Sequence, residues 1–136
     1  LAPPDMQGRI FDVTDALSQG DSATALILLQ RMRQNKEPAQ VILLMLGRNF
    51  RQLLCASRHD AAWLQAELKV PAFVARRLVG QARQWRPEVL GQLIDASWRT
   101  DMDIKRGRLD EETALEILLA QAGRAARYSK QTSRRS

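Results

Sequence analysis

The sequence from Ile10 to Leu54 reads IFDVTDALSQGDSATALILLQRMRQNKEPAQVILLMLGRNFRQLL, and this stretch decides the fold. Gly20-Asp21 and Pro38 divide it into three segments in which apolar residues recur every three or four positions, the spacing of a helix with one buried face. The third segment contains the wholly apolar run Val41 to Leu46. We therefore predict that the third helix forms the centre of a helical bundle, with its opening turns surrounded by other helices.

Helical spacing continues along the rest of the chain, and no segment alternates polar and apolar residues as a half-buried strand does. Pro71 and Pro87, like Pro38, are predicted at helix starts, where the missing N–H of proline would have no helical partner anyway. Gly20 and Gly107 are predicted at helix ends. Short connections favour antiparallel neighbours, so we predict an all-α fold, a compact antiparallel bundle of about six to seven helices.

The charge of the chain is unevenly distributed. Of 21 cations, five lie between Arg124 and Ser136, a segment without any acid. The preceding residues carry 16 cations and 15 acids, so the net charge of +6 comes mostly from the carboxy terminus. We predict three parts: residues 1–9, a linker from a missing amino-terminal region; residues 10–123, a helical domain; and residues 124–136, a basic disordered tail.

Most kinds of catalytic and cofactor site are excluded by the composition. The chain has no Gly-x-x-x-x-Gly-Lys loop for phosphates. Its single histidine, His59, and its single cysteine, Cys55, are too few for a metal site or for a Ser-His-Asp or Cys-His centre. No apolar run approaches the roughly 20 residues of a membrane helix. We predict no enzyme activity, no cofactor, no metal and no membrane association.

The arginines of the third helix indicate a role in contacts. Arg48, Arg51 and Arg58 fall with Cys55 on an edge beside the apolar face that contains Phe50. This edge is either a solvated flank or a surface that faces a partner or an ion pair, because an arginine on such a helix keeps its charge. The sequence leaves both alternatives open.

Asp101 is the second candidate for a contact. It falls in register with the apolar stripe of the sixth helix, where a lone carboxylate would be costly to bury. We predict that it has a cationic partner, an arginine or lysine nitrogen within about 4 Å. Our hypothesis is that Arg48 or Arg51 supplies this partner and joins the third helix to the sixth.

The segment from Leu64 to Leu78 has the outline of a helix, a tight turn and a second helix. That outline is shared by DNA-reading helix-turn-helix motifs, in which Arg76 and Arg77 would contact phosphates or base edges. Short units of this kind are also common inside all-helical cores. A nucleic-acid-binding module, acting through this unit or through the basic tail, is therefore the alternative function.

Several blocks of the sequence, in their order and spacing, resemble the carboxy-terminal domain of the delta subunit of bacterial DNA polymerase III. The similarity extends from about Ile10 to Ala122, and its blocks are Ile10-Phe11, Asp15-Ala16, Gly20-Asp21, Ala25-Leu26, Leu29, Pro38, Leu43-Leu44, Arg48 to Leu54, Val70 to Leu78 and Asp101 to Gly107. Recurrent residues of the family fall on Arg48, Phe50, Arg51, Asp101 and Lys105. The resemblance implies that these positions form either a structural ion pair or a subunit interface.

The resemblance also implies a function. The domain would be the non-catalytic collar of a clamp-loader subunit, which helps to assemble the loader that places the sliding clamp on primed DNA. Its partners would be the gamma/tau and delta prime subunits, whereas the clamp would be reached only through the missing amino-terminal region and DNA only indirectly. The protein would be cytoplasmic, bacterial and replisome-associated. Cys55 and the long basic tail depart from the family pattern.

Overall fold

Seven α-helices make up the part of the chain that the structure describes. The computed structural model describes the backbone of residues 4–135 and the side chains of residues 5–128. The helices are α1 (Pro4–Ser18), α2 (Ser22–Gln34), α3 (Ala39–Ala56), α4 (Ala61–Leu68), α5 (Ala72–Ala82), α6 (Pro87–Lys105) and α7 (Glu111–Arg135). Residues 4–135 contain no strand, so the predicted all-α class and the number of helices are confirmed. None of the helices described combines the length and the hydropathy that a membrane-spanning segment requires.

The third helix lies at the centre of the bundle, as predicted. It packs against α1, α4, α5, α6 and α7. Ten of its 18 residues are buried, because apolar side chains occupy more than one side of the helix. Among them, the Phe50 ring meets the Trp85 ring edge-on at a centroid distance of 6.4 Å. This aromatic pair joins α3 to the segment that follows α5 and forms part of the main apolar core.

Helix ends follow the local signals in the sequence. Gly20 and Gly107 have positive φ angles of 81° and 72°, a conformation that costs glycine little and other residues more. Pro38 and Pro71 directly precede α3 and α5, and Pro87 is in the first turn of α6. These five helix boundaries therefore coincide with prolines, whose backbone is restricted, or with glycines, whose backbone is unusually free.

Aspartates cap three of the helices. The Asp21 carboxylate accepts hydrogen bonds from the Thr24 hydroxyl at 2.6 Å and from the Thr24 N–H at 3.1 Å. Asp110 accepts the same pair of bonds from Thr113, both at 2.8 Å, and Asp60 caps α4. The hydroxyl bond to Asp21 and the N–H bond to Asp110 are the main causes that lower the pKa of these carboxyls below the usual 3.8. The caps fix the starts of α2, α4 and α7.

One buried polar cluster links three helices that are distant in sequence. The hydroxyl of Thr14 on α1 lies 2.6 Å from Oδ1 of Asn49 on α3 and accepts a hydrogen bond from Nε2 of Gln81 on α5 at 3.0 Å. All three residues are at most 5% exposed. Because a buried polar group without a partner is unfavourable, the cluster specifies how α1, α3 and α5 fit together.

The predicted boundary at the amino-terminal end is corrected by the structure. Residues 4–9, expected to be a linker, belong to α1, and Met6 is fully buried. Met6 lies one turn before Ile10, so it extends the apolar stripe of that helix. Pro4 is compatible with the first position of a helix because its missing N–H has no partner there. Residues 1–3 lie outside the described part of the chain.

The boundary at the carboxy-terminal end is also corrected. The tail predicted from residue 124 is not separate from the domain, because α7 continues to Arg135 and Ala126 is fully buried. Ala126 extends the buried stripe by one turn from Ala122, and alanine is the most favourable residue in helices. A Cβ on Gly123 would collide with the side chain of Ser22, so α7 approaches α2 closely at this point. Ser136 lies outside the described residues.

Candidate interaction surface

An open apolar groove runs between α3 and α6. Its volume is about 460 Å³. Leu44 on α3 and Trp98 on α6 line it, and 66% and 65% of these residues are exposed. The remaining lining residues are Gln40, Leu43, Gly47, Arg51, Ile94, Asp95, Ser97, Asp101 and Lys105. We call this feature the α3–α6 groove.

The groove exists because small residues stand where α3 and α6 approach each other. A Cβ added to Gly47 would lie only 3.6 Å from the Cβ of Ser97. Neither residue has a side chain large enough to cover the neighbouring leucine and tryptophan. The prediction that the run Val41 to Leu46 is surrounded by other helices is therefore wrong at Leu44, which is mostly exposed.

Charged side chains line the same groove. Nζ of Lys105 lies 2.7 Å from Oδ2 of Asp101, one turn earlier on α6. Asp101 thus has the cationic partner that was predicted, but the hypothesis that Arg48 or Arg51 supplies it is wrong. A lysine four residues away on the same helix reaches the carboxylate without a contact between helices. Among residues 5–128, no carboxylate lies within 4.0 Å of a nitrogen of Arg51, nor any cation within that distance of Asp95.

The other candidate residues on the third helix lie away from the α3–α6 groove. Arg48 and Arg58 are exposed, and neither lines the groove. Phe50 is 1% exposed and belongs to the core, so its ring is not a surface for a partner. The structure therefore brings Arg51, Asp101 and Lys105 together at one groove and leaves Arg48 and Phe50 elsewhere.

Comparison with known proteins places the chain in a family. Residues 7–122 match the family described as the DNA polymerase III delta subunit, C-terminal domain. The chain belongs to this family. The match covers all seven helices except the first residues of α1 and the last part of α7. A comparison with curated proteins gave no match.

A solved structure supports the fold assigned to the family. The Bacillus subtilis DNA clamp loader delta protein (YqeN) superposes on 88% of this chain with a TM-score of 0.81, at 21% sequence identity. The chain spans 37% of the length of that protein. At this level of identity the similarity establishes the fold.

The helix, turn and helix predicted from Leu64 to Leu78 is present in this family member as α4 and α5. The turn contains Lys69 in the left-handed conformation, with φ of 58°. Arg77 contacts its own domain: its guanidinium lies 4.1 Å from the centre of the Phe11 ring and 3.6 Å from a carboxylate oxygen of Asp12. Arg76 is exposed. The unit thus packs as part of the bundle, and one of its two candidate arginines is engaged by α1.

Leu44 and Trp98 were missed as candidates by the sequence reasoning. Both lie on helices whose apolar stripes were recognised, but a stripe does not show which large residues on it or beside it another helix covers. A signal was nevertheless present, since Gly47 and Ser97 are small residues within one turn of Leu44 and Trp98. Small residues next to large exposed ones mark a place where helices approach closely and leave a groove beside them.

Proposed function

We propose that this domain is the collar domain of a DNA polymerase III delta subunit. Its role is to hold the subunit in a cytoplasmic bacterial clamp loader by packing against the neighbouring gamma/tau or delta prime subunits. The domain has no catalytic role in this proposal. Contact with the sliding clamp is assigned to the amino-terminal region of the parent subunit, and contact with primed DNA to the assembled loader.

The observation that carries the proposal is the exposed apolar pair in the α3–α6 groove of a member of this family. Tryptophan is the residue most enriched among those that dominate binding energy at protein interfaces. A stable interface buries about 1,200 Å² or more in total, and the groove with its flanking helix surfaces offers a concave centre for such a contact. A mostly exposed Leu44 and Trp98 contribute little to the domain itself, which agrees with a role in contacts.

The charges in the groove define the partner surface that would fit it. Asp101 and Lys105 satisfy each other, whereas Arg51 and Asp95 have no ion-pair partner among the described side chains. A complementary helix would place an apolar stripe over Leu44 and Trp98, with a carboxylate for Arg51 and a cation for Asp95. Such complementarity would fix the register of the two subunits.

Reconstitution of the loader tests the proposal. The parent delta subunit, in wild-type form and with Trp98→Ala, is mixed with the gamma/tau and delta prime subunits, and complex formation is measured by analytical ultracentrifugation. An interface residue of this kind contributes about 2 kcal/mol or more, so we expect affinity to fall at least about 30-fold. The matched control is Phe73→Ala on α5, because Phe73 is also an exposed aromatic residue, at 58%.

The control should leave the affinity unchanged. If Trp98→Ala assembles as well as the wild type, the groove is not the docking surface. If the wild-type subunit itself fails to join the complex, the collar assignment is wrong.

A further inference from the structure

The end of α7 carries a charge pattern that the collar proposal does not use. All five cations from Arg124 onward belong to α7, which continues without interruption to Arg135. The family match ends at residue 122, just before this segment. Arg124, Arg127 and Tyr128 are exposed, whereas Ala126 between them is buried against the domain. A basic surface thus begins on the folded domain and continues along a basic sequence.

Ten of the 16 cations that precede Arg124 share with Arg124 and Arg127 the lack of a carboxylate within 4.0 Å among the described side chains. What distinguishes Arg124 and Arg127 is their sequence surroundings, because no acid follows Glu116. Six cations of the body lie within 3.8 Å of a carboxylate oxygen: Arg9, Arg33, Arg77, Arg86, Lys105 and Arg108. Neither Arg124 nor Arg127 has a carboxylate within 4.0 Å among the side chains of residues 5–128. Arg127 instead donates a hydrogen bond to the Ser22 hydroxyl at 3.3 Å, which ties the basic surface to the start of α2.

Helix stabilisation does not account for the pattern. Cations near a helix carboxy terminus interact favourably with the helix dipole, but this effect is confined to the last turn. Arg127 lies eight residues before the end of α7, which is about two turns at 3.6 residues per turn. The dipole therefore accounts for Arg134 and Arg135 but not for Arg124 or Arg127, and the structural contact of Arg127 among the described side chains is its single hydrogen bond to Ser22.

We infer that the carboxy-terminal part of α7, beginning at Arg124 and Arg127, binds the phosphate backbone of DNA without reading its bases. From Arg124 to Arg135 the helix is about 17 Å long at 1.5 Å per residue. A duplex presents about ten phosphate charges over that length, so there are enough phosphates for each of the five cations to contact one. Four of the five are arginines, whose planar donor groups suit phosphate.

A membrane surface fits this segment less well than DNA does. Helices that lie on membranes carry large apolar residues opposite their basic face. After Arg124, the residues of the segment other than cations are Ala125, Ala126, Tyr128, Ser129, Gln131, Thr132, Ser133 and Ser136. Tyr128 is the one large side chain among them, so the apolar face that membrane insertion needs is missing.

The test is binding of the complete chain to a labelled duplex of about 20 base pairs. Fluorescence anisotropy measures the binding constant K at several salt concentrations. Five phosphate contacts give a slope of log K against log salt of about −4.5, or about 500-fold weaker binding between about 50 and about 200 mM salt. Arg124→Gln with Arg127→Gln should bring the slope to about −2.7, or about 40-fold over the same range. Circular dichroism checks that the variant remains folded.

The matched control is Arg76→Gln with Arg83→Gln, which removes the same charge from an exposed position of α5 and from the exposed residue that follows this helix. We expect this control to bind with the wild-type slope. Equal losses in both double variants, or a larger loss in the control, would overturn the inference and favour net charge or the α4–α5 unit. Wild-type chain that binds vesicles of anionic lipid but not the duplex, or binds neither, would overturn it as well.

Discussion

Two faces of α3 both carry leucine but have different surroundings. We call the residues Leu46, Phe50 and Leu53 the core face, and they are at most 1% exposed. Leu44, Gly47 and Arg51 line the α3–α6 groove on another side of the same helix, and Leu44 is 66% exposed. Leucine is present on both faces, so residue type alone does not decide which leucine is buried. The difference comes from the size of the residues that the neighbouring helices present.

This contrast separates residues that serve the fold from residues available for contacts. The core face is covered by side chains of the same domain, so changes there act on the free energy of unfolding. On the groove face, Gly47 is buried against Ser97, but Leu44 and Arg51 are exposed within the described part of the chain. Changes at these two exposed residues should therefore leave the folded domain almost as stable as before. A helix at the centre of a bundle can thus both stabilise the domain and present a surface to a partner.

Truncation of Phe50 should give the largest loss of stability. Phe50→Ala removes a fully buried ring that packs on Trp85, and such changes reduce the free energy of unfolding by about 3–5 kcal/mol. Chemical denaturation followed by circular dichroism measures the loss. Phe73→Ala is the control, since that ring is 58% exposed, and it should change stability by less than about 1 kcal/mol.

Phe50→Leu provides a milder change if Phe50→Ala does not fold. It should still be less stable than Phe73→Leu, because only Phe50 has a ring packed on its neighbours. Equal stability of the two leucine variants would contradict the assignment of Phe50 to the core.

Removal of the Thr14 hydroxyl should have an intermediate effect. Thr14→Val keeps the shape of the side chain but leaves Asn49 and Gln81 without their shared partner, which reduces stability by about 1–3 kcal/mol. Thr100→Val is the matched control, because the Thr100 hydroxyl is also buried but bonds only to the Ala96 carbonyl of its own helix. A loss in the control as large as that in Thr14→Val would show that the cluster does not couple α1, α3 and α5.

The sequence predicted those features that depend on neighbours along the chain. Helix starts at Pro38, Pro71 and Pro87 and helix ends at Gly20 and Gly107 follow from backbone restrictions of single residues, and they are found near the predicted positions. The all-α class was also predictable, because apolar spacing is a property of residues that are near one another along the chain. The early start of α1 was also readable, since Met6 continues the stripe of Ile10 by one turn.

Features that depend on contacts between helices could not be predicted in the same way. The cluster of Thr14, Asn49 and Gln81 joins residues 35 and 67 positions apart, and nothing in the spacing of polar residues marks them. Asp101 was matched to the wrong helix because Lys105, four residues later, competes successfully for the same carboxylate. The groove was missed because exposure of Leu44 is decided by residues on α6.

The smallest effect on stability is expected for Leu44. Leu44→Ala removes a side chain that is mostly in water, so the free energy of unfolding should change by no more than about 0.5 kcal/mol. Leu46→Ala, two residues away on the core face, should lose about 2–5 kcal/mol, because the same truncation leaves a cavity in the bundle. Denaturation of the two variants side by side measures the contrast directly. Equal losses would mean that both faces of α3 stabilise the fold, and would contradict the proposal that Leu44 is available for contact with a partner.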